Sequence, residues 1–180
     1  METTELKPLQ RAFRAAMAQV CTPVAVVTAV SAEGRPHGTT VSAFSSLSLD
    51  PPMVLLCLDR RSELLALLRP GQPFGVNVLL SSQAEVARRF AGKGHGKFAG
   101  TPWTRTRQVP RLTGAGAFLA CRTERLVDGG DHAIVLGTVT TAEVATAGET
   151  GGDAAPLTYH DRGFGTHLPL GRQPRIGHAG

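Results

Sequence analysis

His37-Gly-Thr-Thr-Val-Ser-Ala-Phe-Ser-Ser-Leu-Ser-Leu-Asp-Pro-Pro52 is the stretch on which the fold of this chain turns. It sets six hydroxyl side chains (Thr39, Thr40, Ser42, Ser45, Ser46, Ser48) among Val41, Ala43, Phe44 and Leu47. A core strand would not carry so many donors, because each buried hydroxyl needs a partner. A surface loop would not carry the apolar residues. The pattern predicts a strand, bent or bulged near its middle, forming a wall against something flat and rich in acceptors.

Working outward, Pro23-Val-Ala-Val-Val-Thr-Ala-Val30 is β-branched and apolar, a buried strand. Gly34 and Pro36 punctuate a turn between it and the hydroxyl-rich segment. Asp50-Pro51-Pro52 breaks that segment, and Met53–Leu58 follows as a third strand, so the three are expected to form a meander. Leu9, Phe13, Ala16, Met17 and Val20 recur at helical spacing and predict an amphipathic helix over 8–19. Ser62 is expected to cap a short helix carrying Leu64, Leu65, Leu67 and Leu68. Phe74–Leu79 reads as a strand, and Ser81 or Ser82 as the cap of a helix through Ala84, Ala87 and Phe90. Gly92, Gly94, Gly96 and Gly100 mark an irregular loop carrying Lys93, His95 and Lys97. Ala117–Val127 and Asp131–Thr140 are expected to pair across Gly129-Gly130. Pro156–Tyr159 is a last short strand. Short strands with few helices predict a mainly β domain, a small closed or split barrel with peripheral helices, over residues 1–165. The tail 166–180 lacks periodicity and is expected to be disordered.

Composition narrows the partners. Nineteen basic against 14 acidic residues leave a net charge of +5, which favours anionic ligands, nucleotide cofactors included. Aromatics are 5% of the chain, which argues against a base-stacking nucleic-acid surface. Cys21, Cys57 and Cys121 have no Cys-x-x-Cys spacing, and the histidines lack metal-ligand spacing, so no disulfide framework or metal site is expected. No apolar run approaches a membrane span and the first residues form no secretory signal. These features fit a reduced, cytoplasmic setting.

Three further groups could carry chemistry. Arg60-Arg61-Ser62 follows a strand at a helix start, a place that favours anions, so Arg61 and Ser62 are candidate phosphate contacts. Asp131-His132 follows a hairpin bend, where an imidazole can face a cleft, bond a carboxamide or supply a proton. Tyr159, Arg162 and Phe164 cluster near the end and could flank a nicotinamide or a ribose phosphate. Asn77, a lone amide in an apolar strand, must bond backbone or ligand, and Phe90 must pack in the core or meet a ligand ring.

Phe13–Met17, Thr22–Thr28, His37–Pro52, Asn77-Val-Leu79, Arg89-Phe-Ala91, Gly130-Asp-His132 and Pro156-Leu-Thr-Tyr159 run in the order found in the short-chain flavin reductases. The chain resembles that family, the small component of two-component flavin-dependent monooxygenases, especially those of the actinorhodin type. Its ending departs from the family's frequent Gly-Arg-Tyr, with Asp161-Arg162-Gly163-Phe164 in that place. The resemblance implies an FMN-binding, Greek-key split barrel, a homodimer, and reduction of FMN or FAD by NADH or NADPH, with reduced flavin diffusing to a monooxygenase. It implies flavin contacts at Thr40, Val41, Ser42, Ala43, Ser46, Leu47, Ser48, Arg61, Ser62 and Phe90, with Asp131 and His132 beside the nicotinamide. Two other readings stay open: a non-catalytic flavin- or haem-binding barrel, and a flavoprotein that reduces an organic substrate directly.

Overall fold

Six consecutive residues of one strand, all but the last buried, organise the molecule. The computed structural model describes residues 6–94, 96–150 and 155–170. In chain order the elements are α1 (Leu6–Ala18), β1 (Thr22–Pro23), β2 (Ala25–Val30), β3 (Pro36–Val41), β4 (Phe44–Leu49), β5 (Pro52–Asp59), β6 (Pro73–Val78) and α2 (Ala84–Ala91). There follow β7 (Trp103–Thr106), β8 (Val109–Leu112), β9 (Ala117–Gly129), β10 (His132–Val144), α3 (Ala147–Thr150), β11 (Leu157–His160) and β12 (Gly163–Thr166).

Successive side chains of a strand point to opposite faces. In β2, Ala25, Val27 and Ala29 enter one core with Val41, Val54, Leu56, Phe74, Val76 and Val135. Val24 and Val26 enter a second core with Leu79, Ala87, Phe90, Leu112 and Leu157. Each fully buried aliphatic or aromatic side chain contributes about 1.5–3 kcal/mol. Two apolar faces on one strand explain why the run reads as continuously hydrophobic.

The main sheet has seven strands in the order β3-β2-β6-β9-β10-β5-β4. β9 and β10 are long, 13 residues each, and their pairing slips at Leu136/Gly137 and Val139/Thr141. Such bulges bend strands and deepen the twist. At the first slip a Cβ on Gly137 would sit 2.4 Å from Cζ of Phe74, so the absent side chain lets that buried ring lie against the strand.

The structure corrects the sequence reading at its opening stretch. His37–Ser48 is two strands on opposite edges of the sheet, joined by Ser42-Ala43. β3 pairs only with β2, and β4 only with β5, so there is no three-strand meander. The expected Greek-key split barrel is not formed either: the sheet curls but does not close. At the corner, Cys57 N–H donates to Ala43 O (3.0 Å), with no ladder from β3 to β4 or β5 beyond it. The sequence reading expected the segment to be bent or bulged near its middle, and the chain does bend there, at Ser42-Ala43; a separate shift of the β4–β5 register falls later, between Ser46 and Ser48.

α2 and the β7–β8 hairpin cover the outer face of β2. A three-stranded sheet, β1-β11-β12, lies beside them. The helix expected after Ser62 is a single 3-10 turn, Leu65–Leu67, with no side-chain cap, and α2 begins after a 3-10 turn at Ser81–Gln83. His95 and the tail from residue 171 lie outside the described residues. Among the described residues no helix is long and apolar enough to cross a membrane.

Candidate functional site

The failure of the sheet to close leaves a gap, and a cleft occupies it. Its volume is about 890 Å³. One wall is the first half of β3 with its preceding turn, including Arg35, His37, Gly38 and Thr39. The facing wall is the segment after β5, with Asp59, Arg61, Ser62, Leu64 and Leu67. The third is the end of α2 and its glycine loop, with Gly92, Lys93, Lys97 and Phe98. Cofactor sites commonly occupy roughly 300–1,000 Å³ and mix apolar walls with a few placed polar groups. Four cations beside Leu64, Leu67 and Phe98 suit a nucleotide with an anionic tail.

Arg60 and Arg61 divide their roles. Arg60 fastens the β9–β10 hairpin: its N–H donates to Asp131 O (3.0 Å), Nε to Gly130 O (3.0 Å) and Nη2 to Asp128 Oδ1 (2.7 Å). Arg61 turns to the gap, 90% exposed, and grips Asp59. Its Nε donates to Oδ1 (3.1 Å), its Nη2 to Oδ2 (2.7 Å) and its backbone N–H to Oδ1 (2.8 Å). Those bonds hold the Asp59 carboxyl well below the usual carboxylate range. Asp59 ends β5 directly opposite His132, which begins β10. His132 Nδ1 lies 2.7 Å from Asp131 Oδ1, and this bond lowers the Asp131 pKa. Arg61 and the Asp131-His132 pair, two groups read independently in the sequence, are thus brought together around Asp59, which the sequence reading did not single out.

Lys97 holds the third wall. Its Nζ donates to Phe90 O (3.0 Å), near the C-terminus of α2, and to Gly38 O (3.2 Å) on β3. A lysine at the last carbonyls of a helix satisfies them and complements the dipole. Partial burial lowers its pKa. Beneath it Gly38 lets β3 meet α2: a Cβ there would be 2.7 Å from Cε1 of Phe90.

The other expected contacts fall in three places. Thr40, Val41, Ser42, Ala43, Ser46, Leu47 and Ser48 run past the gap along β3, the corner and β4, and none of them lines it. Thr40 Oγ1 donates to Ala87 O (2.7 Å) and Val41 is in the core, so only their backbone can serve a ligand. Ser42, Ala43, Ser46 and Leu47 are exposed and Ser48 is half-buried. Asn77 and Phe90, expected to contact the cofactor, are both fully buried. The Asn77 amide is bonded to Val26 O and Leu112 N–H, and the Phe90 ring packs edge-on against Phe98 at 4.9 Å. Tyr159, Arg162 and Phe164 sit on β11, its turn and β12, outside the gap. Tyr159 packs on Phe164 (5.7 Å), and Arg88 of α2 lies over the Phe164 ring (5.4 Å). Among the described residues no cluster of His, Cys, Asp and Glu could hold a metal ion.

A mainly β domain with a cationic gap of this size at the edge of its sheet is suited to an anionic nucleotide. Residues 17–167 match the flavin reductase like domain, and the chain belongs to that family. It is 40% identical over 164 residues to the NADH:riboflavin 5'-phosphate oxidoreductase of Streptomyces pristinaespiralis, covering 88% of this chain and 89% of that one. It is 36% identical over 170 residues to the reductase component of a Rhodococcus opacus 4-nitrophenol 4-monooxygenase/4-nitrocatechol 2-monooxygenase, covering 94% and 88%. Among solved structures, a Streptomyces globisporus NADH:FAD oxidoreductase in complex with NAD and FAD fragments superposes with a TM-score of 0.80 at 31% identity, covering 92% and 97%.

Proposed function

We infer that this protein is an NAD(P)H:flavin oxidoreductase that supplies reduced flavin to a partner monooxygenase. The observation that carries this is the agreement, over nearly the whole chain, with relatives named as NADH:flavin oxidoreductases and as monooxygenase reductase components. The gap fits the substrate: its cations suit the phosphate of FMN or the pyrophosphate of FAD.

In this reading Arg61 and Ser62 take the phosphate. The ring lies at the Ser42-Ala43 corner, where β3 and β4, as edge strands, offer unpaired backbone groups. Ser42, Ser46 and Ser48 supply hydroxyls to its polar edge. The bound flavin supplies an acceptor at N5 for the hydride of a reduced nicotinamide. The chain's task is then orientation, holding the donor and acceptor atoms at roughly 3–3.5 Å. His132, held by Asp131 and carried on the hairpin that Arg60 fastens, positions the nicotinamide carboxamide or moves a proton.

A homodimer is part of this proposal. It is supported by the apolar face of α1, where Leu9, Phe13 and Met17 are 47–67% exposed, and by the exposed Leu47 and Leu49 on edge strand β4.

Mixing the protein with FMN and NADH without oxygen tests the activity. Loss of the oxidised flavin absorbance over many turnovers supports it, and a yellow solution that NADH does not bleach rejects it. Flavin lost on gel filtration marks a shuttle, whereas flavin that stays with the protein favours a reductase acting directly on an organic substrate.

A further inference from the structure

The geometry of Arg61 points to a device for letting flavin go. We propose that Asp59 is an internal competitor for the phosphate at Arg61, placed to weaken the hold on flavin so that it can leave. The proposal rests on the reading that Arg61 takes the phosphate.

An arginine binds phosphate or carboxylate best through two parallel N–H bonds from one edge of its fork. Nε and Nη2 form such an edge, and in Arg61 both are taken by the two oxygens of Asp59. An incoming phosphate must displace that carboxylate or accept a poorer approach. The pair is built to yield. A single residue separates the partners, so the carboxylate is always at hand and loses little freedom in binding. The guanidinium is 90% exposed, and exposed ion pairs hold only weakly against water and competing anions. A buried pair would not give way, and no pair at all would leave the phosphate bound at full strength. Asp59 also sets a negative charge on the wall of the gap, which repels a phosphate whether or not the pair opens. For a protein whose product is a diffusing flavin, a weaker grip speeds release.

The test compares FMN with riboflavin, which has the same ring and no phosphate, by fluorescence titration at constant ionic strength. Asp59→Asn keeps the shape and the acceptor for the Arg61 backbone N–H. It should tighten FMN by about threefold to fivefold and leave riboflavin unchanged. Glu33, on the turn before β3, also lines the gap; Glu33→Gln removes its negative charge and should tighten FMN less. Arg61→Ala should weaken FMN alone, and adding Asp59→Asn to it should bring a gain no larger than that of Glu33→Gln, the part due to charge without the pair. If Arg61→Ala binds FMN normally, the phosphate is not at Arg61 and the reading falls with the proposal. If Arg61→Ala weakens FMN but Asp59→Asn does not tighten it, or Glu33→Gln tightens it equally, the competitor is refuted while the phosphate assignment stands. Equal tightening of FMN and riboflavin by Asp59→Asn would also refute it, because the effect would then not run through phosphate.

Discussion

Replacing Asn77 with alanine should cost the protein stability and leave its affinity for flavin intact. Asn77 sits on β6 with no exposed surface. Its Oδ1 accepts the Leu112 N–H at 2.7 Å, and its Nδ2 donates to Val26 O at 3.2 Å, with Thr28 Oγ1 and Pro110 O each at 3.4 Å. One amide therefore ties β2, β6 and β8 together. In the alanine variant Pro110 O keeps its bond from Thr28 Oγ1 (2.6 Å), but the buried Leu112 N–H loses its acceptor. An orphaned buried donor costs about 1–3 kcal/mol. The void left by the carboxamide adds about 1 kcal/mol. For a chain of this size a loss of about 3 kcal/mol lowers Tm by about 6–12 °C. Thermal melts of the ligand-free protein measure this, and flavin titration at 20 °C measures affinity on the molecules still folded. A variant with wild-type Tm and weakened flavin binding would refute the reasoning and return Asn77 to the site.

Three other outcomes follow from contacts described above. Gly38→Ala should destabilise by about 1–3 kcal/mol, because the new Cβ meets the buried Phe90 ring, which has no room to swing; urea denaturation checks this. Burial pushes the Cys121 thiol up to about 12, so it should resist alkylation in the native protein at pH 8 while exposed Cys21 reacts readily, as mass spectrometry of a timed labelling would record. The folded-state pKa of Asp59 lies below its unfolded value, so its contribution to stability is present above the unfolded pKa and is lost as pH falls through the folded one. The stability difference between wild type and Asp59→Asn should therefore be constant from pH 6 to 8 and shrink only in strong acid.

The sequence made the strands legible and the closure illegible. β2 could be read because β-branched residues on both faces leave little else for Val24–Ala29 to be. The bend in His37–Ser48 could also be read, but which edges its two halves would join depends on the five other strands of the sheet. That long-range pairing is not written in local periodicity. The β7–β8 hairpin was missed for a local reason. Its turn residues, Arg107 and Gln108, adopt φ of 50° and 71° without a glycine, so no turn signal marks them. Asp161 and Arg162 do the same between β11 and β12. In the site, Arg61 and His132 stood out as a charge after a strand and an imidazole after a hairpin. Asp59 read as an ordinary strand end, and only the register of β5 against β10 sets it opposite His132. A lone polar residue in an apolar strand, as Asn77 is, announces a buried bond but not its partner.

The gap between β3 and the segment after β5 is the claim on which the account stands, and a crystal structure of the protein saturated with FMN measures it directly. The account predicts the phosphate within hydrogen-bonding distance of Arg61 and Ser62, with the ring against the Ser42-Ala43 corner. Flavin seated against Tyr159 and Phe164, with the gap filled only by solvent, would contradict it.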